Sequence, residues 1–335
     1  MTAKIINDFS TIQGNNCIMS CVKNILNFYT KRFIDESDIF LIGNGFKIEY
    51  TTTNTNILLT SRVFKVAMMF LNNVGLNYEI KRFEKSKDAI SAIKKNIDDN
   101  IPVIVQLVAK DLDYVNVFGG GENVFHYFNV IGYENHEGTF LISDSYVPTI
   151  PPSLFNNFYD IKKVEKSMAG AGNLIVIIRP NENDLVRFNN VYNKYFISNS
   201  VKKCLHEYLT IEYDDSGTFY NLFALKKLSE DIVSFREIYK DDFTKKMIML
   251  NIMIKRYGLI HSRQYLLDYL KKEKFNYNSL IQSLNEIINK WNHICSIMIR
   301  ASVTQRKDSL KLLSKQIYEL SIYEETILKE IYDNL

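Results

Sequence analysis

From Ile18 to Tyr29 the apolar positions Ile18, Cys21, Val22, Ile25, Leu26 and Tyr29 recur every three or four residues, with polar side chains between. That period lines one face of a helix and predicts one over residues 17–30. Asn16 suits its N-cap, because a short side-chain acceptor there can meet a first-turn N–H that has no partner inside the helix. Asp35-Glu36-Ser37-Asp38 starts a second short helix, which Gly43-Asn44-Gly45 ends. A helix over about 60–75, closed by Asn73-Val74-Gly75, precedes a strand over 76–83 and a helix near 86–98. The pattern then changes to runs rich in β-branched residues at 102–108, 126–133, 139–143 and 173–180. The turn Glu134–Gly138 pairs the second run with the third as a hairpin, and the fourth closes the sheet. Helices followed by antiparallel strands make an α+β plan.

Beyond Pro180 the chain has no proline, little glycine and long helical periods. Leu280, Leu284, Ile287, Ile288, Trp291, Ile294, Cys295, Met298 and Ile299 form one apolar stripe. Leu310, Leu313, Ile317, Leu320, Ile327 and Ile331 form another. The expected organisation is a sheet domain over 1–183 and an all-α domain over 184–335 that covers its cleft.

The 335 residues suffice for two cores of ordinary size. Lys plus Arg is 41 and Asp plus Glu is 38, a balance that argues against a nucleic-acid surface, which calls for concentrated basic charge. No apolar run approaches the roughly 18 residues of a membrane span, and the N-terminus lacks the apolar core of a signal peptide. The four cysteines, at 17, 21, 204 and 295, are too scattered for a disulfide framework or a structural metal site. A cytoplasmic protein with free thiols and no bound metal is expected.

One thiol stands out. Cys17 opens the first helix behind Gln13-Gly14-Asn15-Asn16, and a helix N-terminus lowers a thiol's pKa. Cys21 lies one turn further along the apolar stripe and reads as core. His126 begins an apolar strand after the loop Gly119-Gly120-Gly121-Glu122-Asn123, and the hairpin returns Asp144 to the same end of the sheet. Nucleophile, base and orienting carboxylate are thus available, with His126 Nδ1 expected on Asp144 and Nε2 on the thiol. A lone histidine in an apolar strand is more often a satisfied core residue; here its two companions change the balance. Acyl transfer also needs oxyanion donors: the Cys17 N–H, and a side-chain amide from Gln13, Asn15 or Asn16, Gln13 first.

These segments resemble the papain-like superfamily, in particular its bacteriocin-processing (C39-like) branch. Gln13 stands nearer the cysteine than that superfamily's oxyanion glutamine does. A narrower resemblance rests on Leu41-Ile42-Gly43-Asn44-Gly45-Phe46, Asp111-Leu112-Asp113-Tyr114, Asp144-Ser145-Tyr146 and the helical second half with Trp291. Together they are similar to the butirosin-biosynthesis (BtrH-like) acyltransferase family. The resemblance implies a papain-like domain with a central antiparallel sheet. It also implies an acyl donor held as a phosphopantetheine thioester on a carrier protein, and a small amine or diamine as acceptor, as in amide formation in closthioamide biosynthesis. Tyr146 joins Gln13 and Asn16 as a substrate-binding candidate on the same ground. Lys81-Arg82, Lys245-Lys246 and Lys271-Lys272 are basic spots where an acidic carrier could dock, although such pairs are commonly plain solvated faces. A cysteine peptidase or amidase, with water as acceptor, is the alternative; a binding module on an inactive papain-like scaffold is a third reading.

Overall fold

A computed structural model describes residues 3–114, 124–149, 151–212, 217–256, 258–273 and 277–335. The Gly-rich loop at 119–123 lies outside the described residues. The first elements are β1 (Lys4–Ile5), α1 (Cys17–Thr30), α2 (Glu36–Ile42), β2 (Glu49–Thr52), β3 (Ile57–Thr60) and α3 (Val63–Asn73). Then come β4 (Tyr78–Arg82), α4 (Ser86–Asp98), β5 (Val103–Val108), β6 (Phe125–Glu134), β7 (Thr139–Val147) and β8 (Ser153–Asp160). They are followed by α5 (Ile161–Gly170), β9 (Leu174–Ile178), α6 (Glu182–Val191), α7 (Lys194–Thr210), β10 (Phe219–Tyr220) and α8 (Asn221–Asp231). The chain ends with α9 (Phe235–Tyr239), α10 (Phe243–Arg256), α11 (Leu259–Lys272), α12 (Asn278–Thr304) and α13 (Lys307–Asn334).

The chain divides into two compact units: Met1–Ile39 with Leu71–Tyr192, and Phe40–Phe70 with Asn193–Leu335. The first holds a seven-stranded antiparallel sheet in the order β4-β9-β5-β6-β7-β8, with β1 beside the far stretch of β6. One face of this sheet is apolar. Ile93 and Ile97 of α4 and Val164 and Met168 of α5 pack with Val103, Val105, Phe128, Val130, Phe140 and Ile142. Burying each such side chain is worth about 1.5–3 kcal/mol. The other face receives α1: Asn129 Nδ2 donates to the Cys21 carbonyl (3.3 Å), and Asn24 Nδ2 to Ser145 Oγ (2.6 Å). The alternation of side chains along each strand separates the two layers.

Three expectations are corrected here. Residues 173–180 do not close the sheet: β9 lies inside it, antiparallel to both β4 and β5, with all five residues buried. The edges are β4 and β8, and the half-polar sequence of β8, Ser-Leu-Phe-Asn-Asn-Phe-Tyr-Asp, carries a weak strand signal. Strand β7 also runs past Ser143 to Val147, so Asp144 sits within it.

In the second unit, β2 pairs with both β3 and β10. The C-terminal region is otherwise helical. The α12 stripe is buried as its period requires, apart from Ile299, which is 41% exposed; the α13 stripe is buried throughout.

Candidate active site

Asn16 caps α1 as expected: its backbone is extended and its side-chain oxygen accepts from the Met19 N–H. Cys17 is the first residue of the helix and is half-buried. The loop in front of it is fixed by buried charge. Glu36, at the start of α2, accepts from the Asn15 N–H (2.9 Å) and Ser20 Oγ (2.5 Å). Lys23 Nζ lies 3.4 Å from Glu36 and donates to the Gln13 carbonyl at 2.9 Å. Gly14 passes so close to Glu36 and Ser20 that a Cβ there would stand 1.7 Å from the carboxylate. Its N–H donates to the Ser145 carbonyl (2.9 Å), which ties the loop to β7.

In the β6–β7 ladder Asn129 faces Ser143. His126 and Asp144, near the start of β6 and the end of β7, are diagonal neighbours across that pairing, within reach for long side chains. His126 Nε2 donates to Asp144 Oδ2 at 2.7 Å, and both side chains are buried. The expected ring orientation is corrected: Nε2, farther from the backbone, spans the diagonal, and Nδ1 is left for the thiol, with which the ring also hydrogen-bonds. Asp144 is satisfied on both oxygens. Tyr114 Oη donates to Oδ2 (2.7 Å) and the Tyr146 N–H to Oδ1 (3.1 Å).

The electrostatics follow from this packing. Burial works against a charged His126 ring, but the Asp144 carboxylate and the thiol of Cys17 outweigh it and raise its pKa to about 10. Burial pushes the Cys21 thiol well up, with Cys17 and Asp144 adding to the effect. That thiol is fully buried and inert, as its place on the stripe implies. Burial and Asp144 likewise hold the Tyr114 phenol well above its usual range.

Cys17, His126 and Asp144 therefore come together in one site. Gln13 does not turn its amide inward: Nε2 donates to the Pro152 carbonyl at 2.5 Å on the exposed side. Tyr146 supports Asp144 through its backbone N–H. Among the described residues no cluster of three His, Cys, Asp or Glu side chains has metal-holding geometry, and no helix is long and apolar enough to cross a membrane. Sequence reasoning missed Tyr114 as a partner of Asp144, and the Lys23–Glu36 pair. A lysine beside Val22 on an otherwise buried helix was a signal for the latter; nothing in the spacing pointed to the former.

No curated protein matches the chain. A solved structure from Bacillus anthracis, described as a C39-like peptidase, matches with 12% identity and a TM-score of 0.35, covering 54% of this chain and 99% of that one. The family model "Butirosin biosynthesis protein H, N-terminal" matches residues 16–145. This match begins one residue before Cys17 and ends one residue after Asp144. Through that segment, site included, the chain is similar to the butirosin biosynthesis protein H family.

Proposed function

We propose that this chain is an amide-forming acyltransferase of natural-product biosynthesis. It would take an acyl group from a phosphopantetheine thioester on a carrier protein and hand it, through Cys17, to a small amine or diamine. The observation that carries this reading is a half-buried thiol at a helix N-terminus, hydrogen-bonded to a buried imidazole that a carboxylate keeps protonated. A positively charged ring and a helix N-terminus are the surroundings in which cysteine nucleophiles work. The family match supports a biosynthetic role over a degradative one.

The Cys17 thiolate attacks the thioester carbonyl, and a tetrahedral oxyanion forms. It collapses to the Cys17 acyl-enzyme as the carrier thiolate leaves and takes the His126 proton. His126, now neutral, accepts a proton from the incoming amine as nitrogen attacks the acyl carbon. Collapse expels the Cys17 thiolate and yields the amide. The Cys17 N–H, in the first turn where no helical partner exists, is placed to meet the oxyanion. Asn16 can add a side-chain donor, since its oxygen is used by the cap. Tyr146 remains a candidate substrate contact through its ring.

The test is intact-mass spectrometry with an acyl-phosphopantetheine thioester, then added amines. A Cys17-dependent adduct discharged faster by amine than by water is expected. Discharge by water alone would make the protein a hydrolase of the peptidase or amidase kind. An adduct that survives Cys17→Ala removes the nucleophile.

A further inference from the structure

Tyr114 sits in the turn after β5, outside any strand or helix, yet its hydroxyl reaches the buried Asp144 carboxylate at 2.7 Å. Its backbone is on no ladder, so side chains must set its direction. Two rings of the edge strand β8 do so. Phe155 stands opposite Asp144 in the β7–β8 ladder, and its ring stacks on Tyr114 with centroids 4.2 Å and planes 17° apart. Tyr159 lies four residues further along β8, on the same face by the two-residue period of a strand. It meets the Tyr114 ring nearly at right angles, 83° at 5.3 Å. Both are favoured aromatic geometries, and together they leave the phenol little freedom to turn away.

Tyr159 is anchored in its turn. Its ring is buried, and its hydroxyl donates to Asp113 Oδ1 at 2.7 Å and accepts the Asp113 N–H at 3.4 Å. The backbone just before Tyr114 is therefore tied to the same ring that braces the Tyr114 side chain. Lys163 of α5 pairs with Asp113 on the outside, but both partners are about half exposed, and such pairs contribute little. The hold on Tyr114 comes from the two rings and the Tyr159 hydroxyl. It matters at the site because Asp144 Oδ2 receives both the Tyr114 hydroxyl and His126 Nε2. A Tyr114 that swung away would let the carboxylate turn and carry the imidazole with it, and a displacement of about 1 Å at a reacting group can cost about a hundredfold in rate.

We propose that Phe155 and Tyr159 are positioning residues for acyl transfer at Cys17: they hold the Tyr114 hydroxyl on Asp144 and, through Asp144, the His126 ring. The proposal rests on the triad reading above, and places both residues behind Tyr114 rather than on the substrate.

A double-mutant cycle tests it, read as the rate of Cys17 alkylation by iodoacetamide at pH 6, with melting temperatures recorded alongside. Tyr114→Phe and Phe155→Leu are each expected to slow alkylation at least about threefold, and the double variant to match Tyr114→Phe alone within about twofold, because both changes remove one hydrogen bond. Phe155→Tyr, which keeps the stacked ring, should stay within about twofold of wild type. Effects that multiply, or an unchanged rate in Phe155→Leu, overturn the proposal. Should Phe155→Leu fail to fold, Tyr159→Phe takes its place in the cycle, since it keeps the buried ring and loses only the bonds to Asp113. It is expected to slow alkylation at least about twofold, and not at all in the Tyr114→Phe background; a wild-type rate overturns the assignment. In steady-state transfer from an acyl-phosphopantetheine thioester to an amine, Phe155→Leu should lower kcat at least about threefold with KM unchanged. A raised KM at unchanged kcat would make Phe155 a substrate contact instead. A wild-type protein alkylated at Cys17 but never acylated by the thioester contradicts the acyl-transfer reading, and the alkylation cycle still decides the positioning role.

Discussion

At the scale of single residues, the site depends on Asp144 being satisfied from three directions: the His126 ring, the Tyr114 hydroxyl and the Tyr146 N–H. Tyr114→Phe removes one donor and leaves the stacking on Phe155 in place. Steady-state kinetics should show kcat lower by about tenfold, the equivalent of about 1.4 kcal/mol, with KM little changed; an unaltered kcat would remove Tyr114 from the positioning role. His126 gives a pH signature. Its pKa in the fold lies above its value of about 6.5 in the unfolded chain, so its pairing stabilises fully below pH 6.5 and that stabilisation is lost as pH rises through about 10. The melting-temperature gap between wild type and His126→Ala should therefore shrink from neutral pH towards pH 10. A gap that widens over this interval contradicts the ion pair. The residues Cys17, His126 and Asp144 were legible because strand parity and the hairpin fix which side chains can meet. The ring orientation and Tyr114 were not, since both depend on side-chain reach rather than on spacing.

At the scale of elements, α1 presents its thiol because the preceding loop is clamped by Glu36 and Lys23. Gly14→Ala would drive a Cβ into the Glu36 carboxylate and Ser20 Oγ. Such overpacking is expected to lower stability by about 1–3 kcal/mol and to slow Cys17 acylation, which denaturant titration and intact-mass kinetics measure. Wild-type stability in that variant would show that the loop relaxes freely. Helix α1 was readable from its stripe and cap to the residue, because amphipathic period and capping chemistry are local. The place of β9 inside the sheet was not, because a fully buried run looks the same at an edge as in the middle until its partners are known. Strand β8 was missed for the opposite reason: an exposed edge has no apolar alternation to show.

At the scale of the whole molecule, each unit carries its own buried ion pair. In the helical unit Arg263 and Glu324 are both fully buried and bonded to each other; Tyr208 Oη and Trp291 Nε1 donate to the Glu324 carboxylate. Arg263 lies over the rings of Phe46 and Tyr208. Glu324→Ala strands that guanidinium without a counter-charge and should cost about 3–5 kcal/mol in denaturant unfolding; a loss below 1 kcal/mol would mean that water reaches it. The apolar stripes announced these helices, but a period of hydrophobic positions says nothing about an arginine and a glutamate buried between them. The most direct test of the central claim concerns the thiol itself. Iodoacetamide alkylation at pH 6, mapped by peptide mass spectrometry, should modify Cys17 well ahead of Cys21, Cys204 and Cys295, and His126→Ala should slow that reaction at least tenfold. Equal rates in the two proteins, or Cys21 reacting first, would contradict an imidazole-activated nucleophile at Cys17.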